Sequence, residues 1–294
     1  MLEPEKMIDG IKKVFGDHPG HRTLHAKGAF YTGTFTATPA AAALCRAGHL
    51  QGDPVTVRVR WSNGTGRVGL SDKAQDVRGM ALSFRLADGT ATDLLGQTAP
   101  RFNVRTPEAF LELVQAAANP LRLPLFLARH PESIPAVIAD ARAKALVSPY
   151  SYAEVPYYPV HAYKWIAADR TESWVRYRLT PQEGEEGRTT GEFKGPDRLR
   201  EEILARLAAH PVRYTLDVQV AGSGDDPNDP MSVWASDFFD AGTIEVTGPD
   251  PEREQNGEVV VFDPTRVVDG IELSDDPILR YRAGAYSASV ARRV

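Results

Sequence analysis

The chain has 294 residues, of which 42% are hydrophobic and 25% charged, the balance of a globular protein with a sizeable core. A formal net charge of −5 argues against a nucleic-acid-binding surface, which shows a basic excess, and leaves room only for a local basic pocket. The single cysteine, Cys45, excludes an intrachain disulfide framework and suits a reducing compartment. Beside its alanine run it reads as a small buried residue rather than a nucleophile.

The opening stretch, MLEPEKMIDGIKKVFGDHPG, lacks the apolar core of a signal peptide and carries acids where a signal carries bases. No apolar run of about 18 residues occurs anywhere, so no membrane-spanning helix is expected, and a cytoplasmic location is the expectation. Ile8, Ile11, Val14 and Phe15 recur near helical spacing, predicting an amphipathic helix within residues 1–16. Residues 21–35, HRTLHAKGAFYTGTF, place His21 and His25 ahead of a glycine-punctuated strand. In PVTVRVRWS (54–62), Val55, Val57, Val59 and Trp61 face one way, and Thr56, Arg58, Arg60 and Ser62 the other. Further strands are expected at 81–87, 102–106, 161–168, 173–180, 213–221 and 258–262. Helices are expected at 107–119, 131–146, 197–210 and 276–294. The acidic stretch GSGDDPNDP (222–230) reads as a solvated loop, because its prolines and its lack of a closing glutamate do not suit a calcium loop. Strand-rich segments with helices between them predict an α+β protein with one barrel-like domain over 1–294.

Three groups of residues admit a chemical reading beside a structural one. Arg282 and Tyr286 are spaced i,i+4 on the C-terminal helix, and Arg293 falls on the same face two turns later. The small neighbours Ala283, Gly284, Ala285, Ser287 and Ala288 would let something flat lie close. Tyr286 is either a packing anchor or a phenolate metal ligand, the latter favoured by an adjacent guanidinium and a ferric ion. Arg58, Arg60 and Ser62 ordinarily point to solvent; turned inward, the arginines need buried anions and the serine a partner. His25 is either a satisfied strand-end residue or a positioned base.

RTLHAKGAFYTGTFTAT, VRVRWS, QDVRGMALSF, DLLGQTAPRFNVRTPEAF and VVVFDPTRVVDGIELSDDPILRYRAGAY together resemble, in order and over most of the chain, the haem-pocket segments of catalases. The resemblance implies a catalase-like antiparallel β-barrel core with surrounding helices and a ferric haem b. By it, Tyr286 is the proximal iron ligand with Arg282 beside it, and His25 the distal acid/base oriented by Ser62. Arg22, Arg60 and Arg293 correspond to propionate contacts, and Phe102 and Phe110 to aromatics beside the haem. Lys27 is placed on the solvated or propionate side of its strand.

Two departures from the family pattern bear on the reaction. The chain ends eight residues after Tyr286 (294 − 286), which implies that it lacks the wrapping region and C-terminal helical domain of full catalases. With them would go the nicotinamide nucleotide site and the interlocked tetramer, while a homodimer is allowed. Aligned without a gap from Asp93, the distal asparagine position holds Gln97, and a shifted alignment gives Thr98; Asn103 stands where a second aromatic is usual. The resemblance therefore implies a haem peroxidase using hydrogen peroxide or organic hydroperoxides and a separate small-molecule electron donor, with weak or no catalase activity. The rivals are a fatty-acid hydroperoxide isomerase or dehydratase of the allene oxide synthase type, a true catalase on the same fold, and a haem carrier without turnover.

Overall fold

The computed structural model describes residues 2–119, 121–250 and 259–293. The chain opens with helix α1 (Pro4–Phe15), whose proline sits in the first turn, where its missing N–H costs nothing. Its inner face buries Met7, Ile8 and Ile11. Nine strands follow: β1 (Gly28–Ala37), β2 (Val55–Asn63), β3 (Arg78–Arg85), β4 (Ala91–Gln97), β5 (Tyr163–Ile166), β6 (Glu172–Pro181), β7 (Val212–Val220), β8 (Phe238–Pro249) and β9 (Ile271–Leu273). They pair antiparallel in one sheet, ordered β4-β3-β2-β1-β8-β7-β6-β5-β9 and curled into a half-barrel. Between them lie helices α2 (Pro39–Leu44), α3 (Pro107–Ala117), α4 (Leu123–Arg129), α5 (Ile134–Arg142) and α6 (Arg198–Ala209). The last helix, α7 (Pro277–Ala291), is capped by Asp276, whose carboxylate accepts from the N–H groups of Ile278 and Leu279.

The alternation of β2 decides what each sheet face does. Val57, Val59 and Trp61 enter the main core with Tyr31, Phe35, Leu82 and Phe84. Burying each such side chain contributes about 1.5–3 kcal/mol. Trp61 stacks on Tyr152 and meets Tyr31 edge-on. The opposite face runs from the exposed Thr56 to Arg60 and Ser62, only 4% and 3% exposed, and that end is turned away from the core yet is not solvated. Both arginine and serine must therefore look into an interior space.

Some expected elements do not form. Residues 102–106 carry no strand; Val104 is buried against Ala109, Phe126 and Ile278, so its alternation reports helix packing rather than sheet pairing. Of the strand expected at 258–262, Glu258 lies outside the described residues, and 259–262 run without ladder partners while Val260 and Phe262 pack on Phe30. The helix expected at 131–146 is a 3-10 turn over Pro131–Ser133 followed by α5, which stops before Lys144 with its left-handed φ of 53°. Helices α2 and α4 and strands β4, β8 and β9 come in addition to the expected set.

Candidate active site

The register of the first four strands builds one wall of a cavity. Gly28 faces Ser62, Ser62 faces Gly79, and Gly79 faces Gln97, forming a single cross-strand row. Two residues along, Phe30, Arg60, Ala81 and Leu95 form the next row on the same face. The glycines are required by what passes over them. A Cβ on Gly79 would stand 2.7 Å from the His25 ring and 2.9 Å from Ser62 Oγ, and one on Gly28 would stand 2.8 Å from the Arg60 guanidinium.

His25 sits over Gly79 in the left-handed region, at φ 54°, a conformation uncommon for a residue with a Cβ. Flanking backbone bonds hold it there: His25 N donates to Gly64 O, Ala26 N to Thr65 O, and Asn63 N to Lys27 O. Behind them the buried Asp72 carboxylate accepts from Asn63 Nδ2 at 2.8 Å and pairs with Lys27 Nζ at 2.7 Å. The segments carrying His25 and Ser62 are thus tied to one anchor. His25 Nδ1 and Ser62 Oγ are 3.0 Å apart. Removal from bulk water pushes the imidazole pKa down to about 3, helped by the positive charges of Arg60, Arg282 and Arg22. The ring is therefore neutral at physiological pH.

Arg22 and Arg60 flank the Phe30 ring, with guanidinium carbons 5.4 and 5.6 Å from its centroid. Arg22 Nη2 also donates to Val260 O at 2.7 Å. Arg293, just past α7, borders the same cavity.

On α7, Arg282 Nε donates to Tyr286 Oη at 3.0 Å. Arg282 Nη1 lies 3.0 Å from His161 Nε2, and His161 Nδ1 lies 2.6 Å from Asp276 Oδ2. Arginine only donates, so His161 Nε2 accepts and its Nδ1–H donates to the carboxylate. The result is a directed chain from Tyr286 through Arg282 and His161 to Asp276. Burial lowers the pKa of His161, opposed by the Asp276 contact. Burial raises the Tyr286 pKa, and Arg282 pulls it back by charge and hydrogen bond.

His25, Ser62, Gln97, Arg22, Arg60, Phe102, Phe110, Arg282, Tyr286 and Arg293 all line this one cavity. Counted with its open mouth, it encloses about 1410 Å³. Of the two alternatives for the distal amide position, Gln97 lines the cavity, whereas Thr98 does not and its Oγ1 donates to Ala145 O and accepts from Arg78 N. Phe102 and Phe110 stack at 5.6 Å, and the Phe102 ring lies 6.1 Å from that of His161. Of the two placements expected for Lys27, the propionate side is set aside: Lys27 does not line the cavity and pairs with Asp72 and the exposed Asp197. Asn103 is absent from the lining. Sequence reading missed His161 and the second task of Asp276. The only available signal was a histidine opening a strand and an acid–proline helix start, too far apart to be joined by spacing. It also missed Met7, Ile8 and Ile11, which bring α1 to the cavity.

A sequence model of the family described as Catalase matches residues 1–294. The chain is 46% identical over 299 residues to a catalase-related peroxidase of Mycolicibacterium paratuberculosis, covering 99% of this chain and 95% of that one. A catalase-related peroxidase of Synechococcus elongatus is 29% identical over 99% of this chain and 89% of its own length. Among solved structures, a fungal catalase superposes with a TM-score of 0.79 at 21% identity, over 100% of this chain and 64% of that chain. A bacterial catalase superposes with the same score at 22% identity, covering 61% of its chain. This chain therefore spans less than two thirds of those two catalases. The match over its full length, together with the close relatives, establishes that the chain belongs to the catalase family.

Proposed function

We propose that the chain is a haem-dependent peroxidase that reduces hydrogen peroxide or an organic hydroperoxide with electrons from a separate small-molecule donor, using haem b over a single domain of residues 1–294. The observation that carries this reading is the convergence on one cavity of a neutral, oriented His25 and a tyrosine backed by Arg282, His161 and Asp276. The catalase-related peroxidase names of the two curated relatives support it. Gln97, with its amide one methylene further out than an asparagine's, supports weak catalase activity, since catalytic geometry tolerates little displacement. The lone buried Cys45 supports a reducing, cytoplasmic setting.

The residues fit a haem. Phe102, Phe110, Leu95, Val160 and Ile278 give the cavity apolar walls, as a largely apolar ligand requires. Arg22, Arg60 and Arg293 would hold the carboxylates of such a group, and Tyr286 its iron. When bound, haem supplies a redox-active iron that takes oxidising equivalents from peroxide and passes them to the donor.

The chain's own residues do the rest. With Nδ1 engaged by Ser62 Oγ, the other ring nitrogen of His25 is left to take a proton from the incoming peroxide and return it to the departing oxygen. Its depressed pKa keeps it an acceptor at neutral pH. The Gln97 side chain contributes an amide donor to the same space. Arg282 donates to the Tyr286 oxygen and so favours the phenolate over the phenol. His161 and Asp276 fix the Arg282 guanidinium from behind.

The test is the absorption spectrum of the haem-loaded protein beside Tyr286→Phe. A high-spin ferric, tyrosinate-type spectrum lost in the variant is expected. A wild-type protein that takes up no haem overturns the reading.

A further inference from the structure

Eight large apolar side chains stand exposed among the described residues, and six fall between positions 121 and 147: Leu121, Leu125, Ile134, Ile138, Leu146 and Val147. Leu121 is 88% exposed. Single exposed apolar residues are ordinary; a concentration of them marks an interaction surface. Ile134, Ile138 and Arg142 share one side of α5 while Ala136 and Asp140 occupy the buried side. Leu125 stands on α4, and Leu121, Leu146 and Val147 lie in the turns flanking the two helices.

The same stretch carries Arg122, Arg129, Arg142 and Lys144, all exposed, and none forms an ion pair among the described residues. Its two acids do not balance them outward: Asp140 is buried, and Glu132 is engaged with His130. Four cations against two acids make this stretch positive in a chain whose net charge is −5. A second copy of the chain is a poor occupant, because a twofold interface would set these cations against each other. An apolar stripe edged by unpaired lysine and arginine is the composition of a helix surface that lies on anionic lipid.

We propose that α4, α5 and their flanking residues dock on an anionic lipid surface, with the apolar side chains entering the headgroup region and the cations meeting lipid charge. The inner side of these helices packs behind side chains that line the cavity. Phe126, Leu123 and Leu127 pack with Phe102 and Phe110, and Ser133 Oγ donates to Asn103 O at 2.6 Å. Docking here brings the lipid layer against the outer side of that packing. Binding of this kind needs neither haem nor turnover, so its failure leaves the peroxidase reading standing.

Flotation of the full chain with vesicles tests it, using phosphatidylcholine alone and phosphatidylcholine with phosphatidylglycerol, at low and high salt. The protein should float only with the anionic vesicles. The bound fraction should fall about tenfold at high salt, in the pair Arg122→Glu and Arg129→Glu, and in the pair Leu125→Asp and Ile138→Asp. Circular dichroism should show all of these surface variants folded. No flotation, or equal flotation on neutral and anionic vesicles, overturns the proposal. So does a wild type that ignores vesicles but sediments as an oligomer that the Leu125/Ile138 pair dissociates, which would make the face a self-interface.

Discussion

His161 and Asp276 are 115 residues apart in the chain and 2.6 Å apart in space, and both are almost wholly buried. Asp276 uses one oxygen for His161 and the other to cap α7. The helix that carries Tyr286 and the chain that polarises it therefore share one carboxylate. The two roles separate by substitution. Asp276→Ser keeps a cap but loses the imidazole contact, whereas Asp276→Ala loses both. Each should weaken haem binding by about 10–100-fold, as loss of an outer partner of a metal ligand does. Both variants lose the stabilisation of the buried imidazole contact, and Asp276→Ala should lose about 1 kcal/mol more through the cap. Haem titration and thermal melts read the two effects independently, and equal melting of the two variants would contradict the shared role.

A neutral His25 has a kinetic consequence. A histidine in water titrates near 6.5, but burial and the nearby arginines depress this one to about 3. Because the pKa is lowered, the base form persists as pH falls from 8 to 5. The rate of peroxide cleavage should be flat across that range, and His25→Ala should lower it by about 10²–10⁴-fold at every pH. A pH profile with a limb near 6.5 that disappears in His25→Ala would show that the imidazole is not held neutral.

Gly79 is the floor beneath the base. Gly79→Ala places a methyl 2.7 Å from the His25 ring and 2.9 Å from Ser62 Oγ, too close for either to stay. The expected outcome is a folded, haem-binding protein with peroxide cleavage reduced at least about tenfold, because positioning is lost while the chemistry of the residues is kept. Wild-type rates in Gly79→Ala would mean that the His25–Ser62 contact does not matter.

Gln97 faces the same space from the end of the cross-strand row. Shortening it in Gln97→Asn draws the amide back by one methylene. The ratio of oxygen evolved to donor oxidised should rise. An unchanged ratio would remove Gln97 from the account of weak catalase activity.

What the sequence made legible was local. The alternation of Val55 to Ser62 announced two differing sheet faces, and the i,i+4 spacing of Arg282 and Tyr286 announced a shared helix face; both hold in space. Periodicity reports burial, however, and not the partner. Residues 102–106 and 259–262 alternate because they pack on helices and on Phe30, and neither pairs in a ladder. The His161–Asp276 contact had no local signal, since a buried histidine is identified by what faces it. The propionate side offered for Lys27 failed for the same reason. Its partners Asp72 and Asp197 lie far along the chain, while its sequence neighbours belong to the cavity.

The most direct measurement is turnover of hydrogen peroxide by the haem-loaded protein, with oxygen evolution and donor oxidation followed together. Peroxide consumption that depends on the donor, with little oxygen released, is the predicted result. Rapid oxygen evolution without a donor, or a lipid hydroperoxide rearranged with no donor present, would contradict the peroxidase assignment.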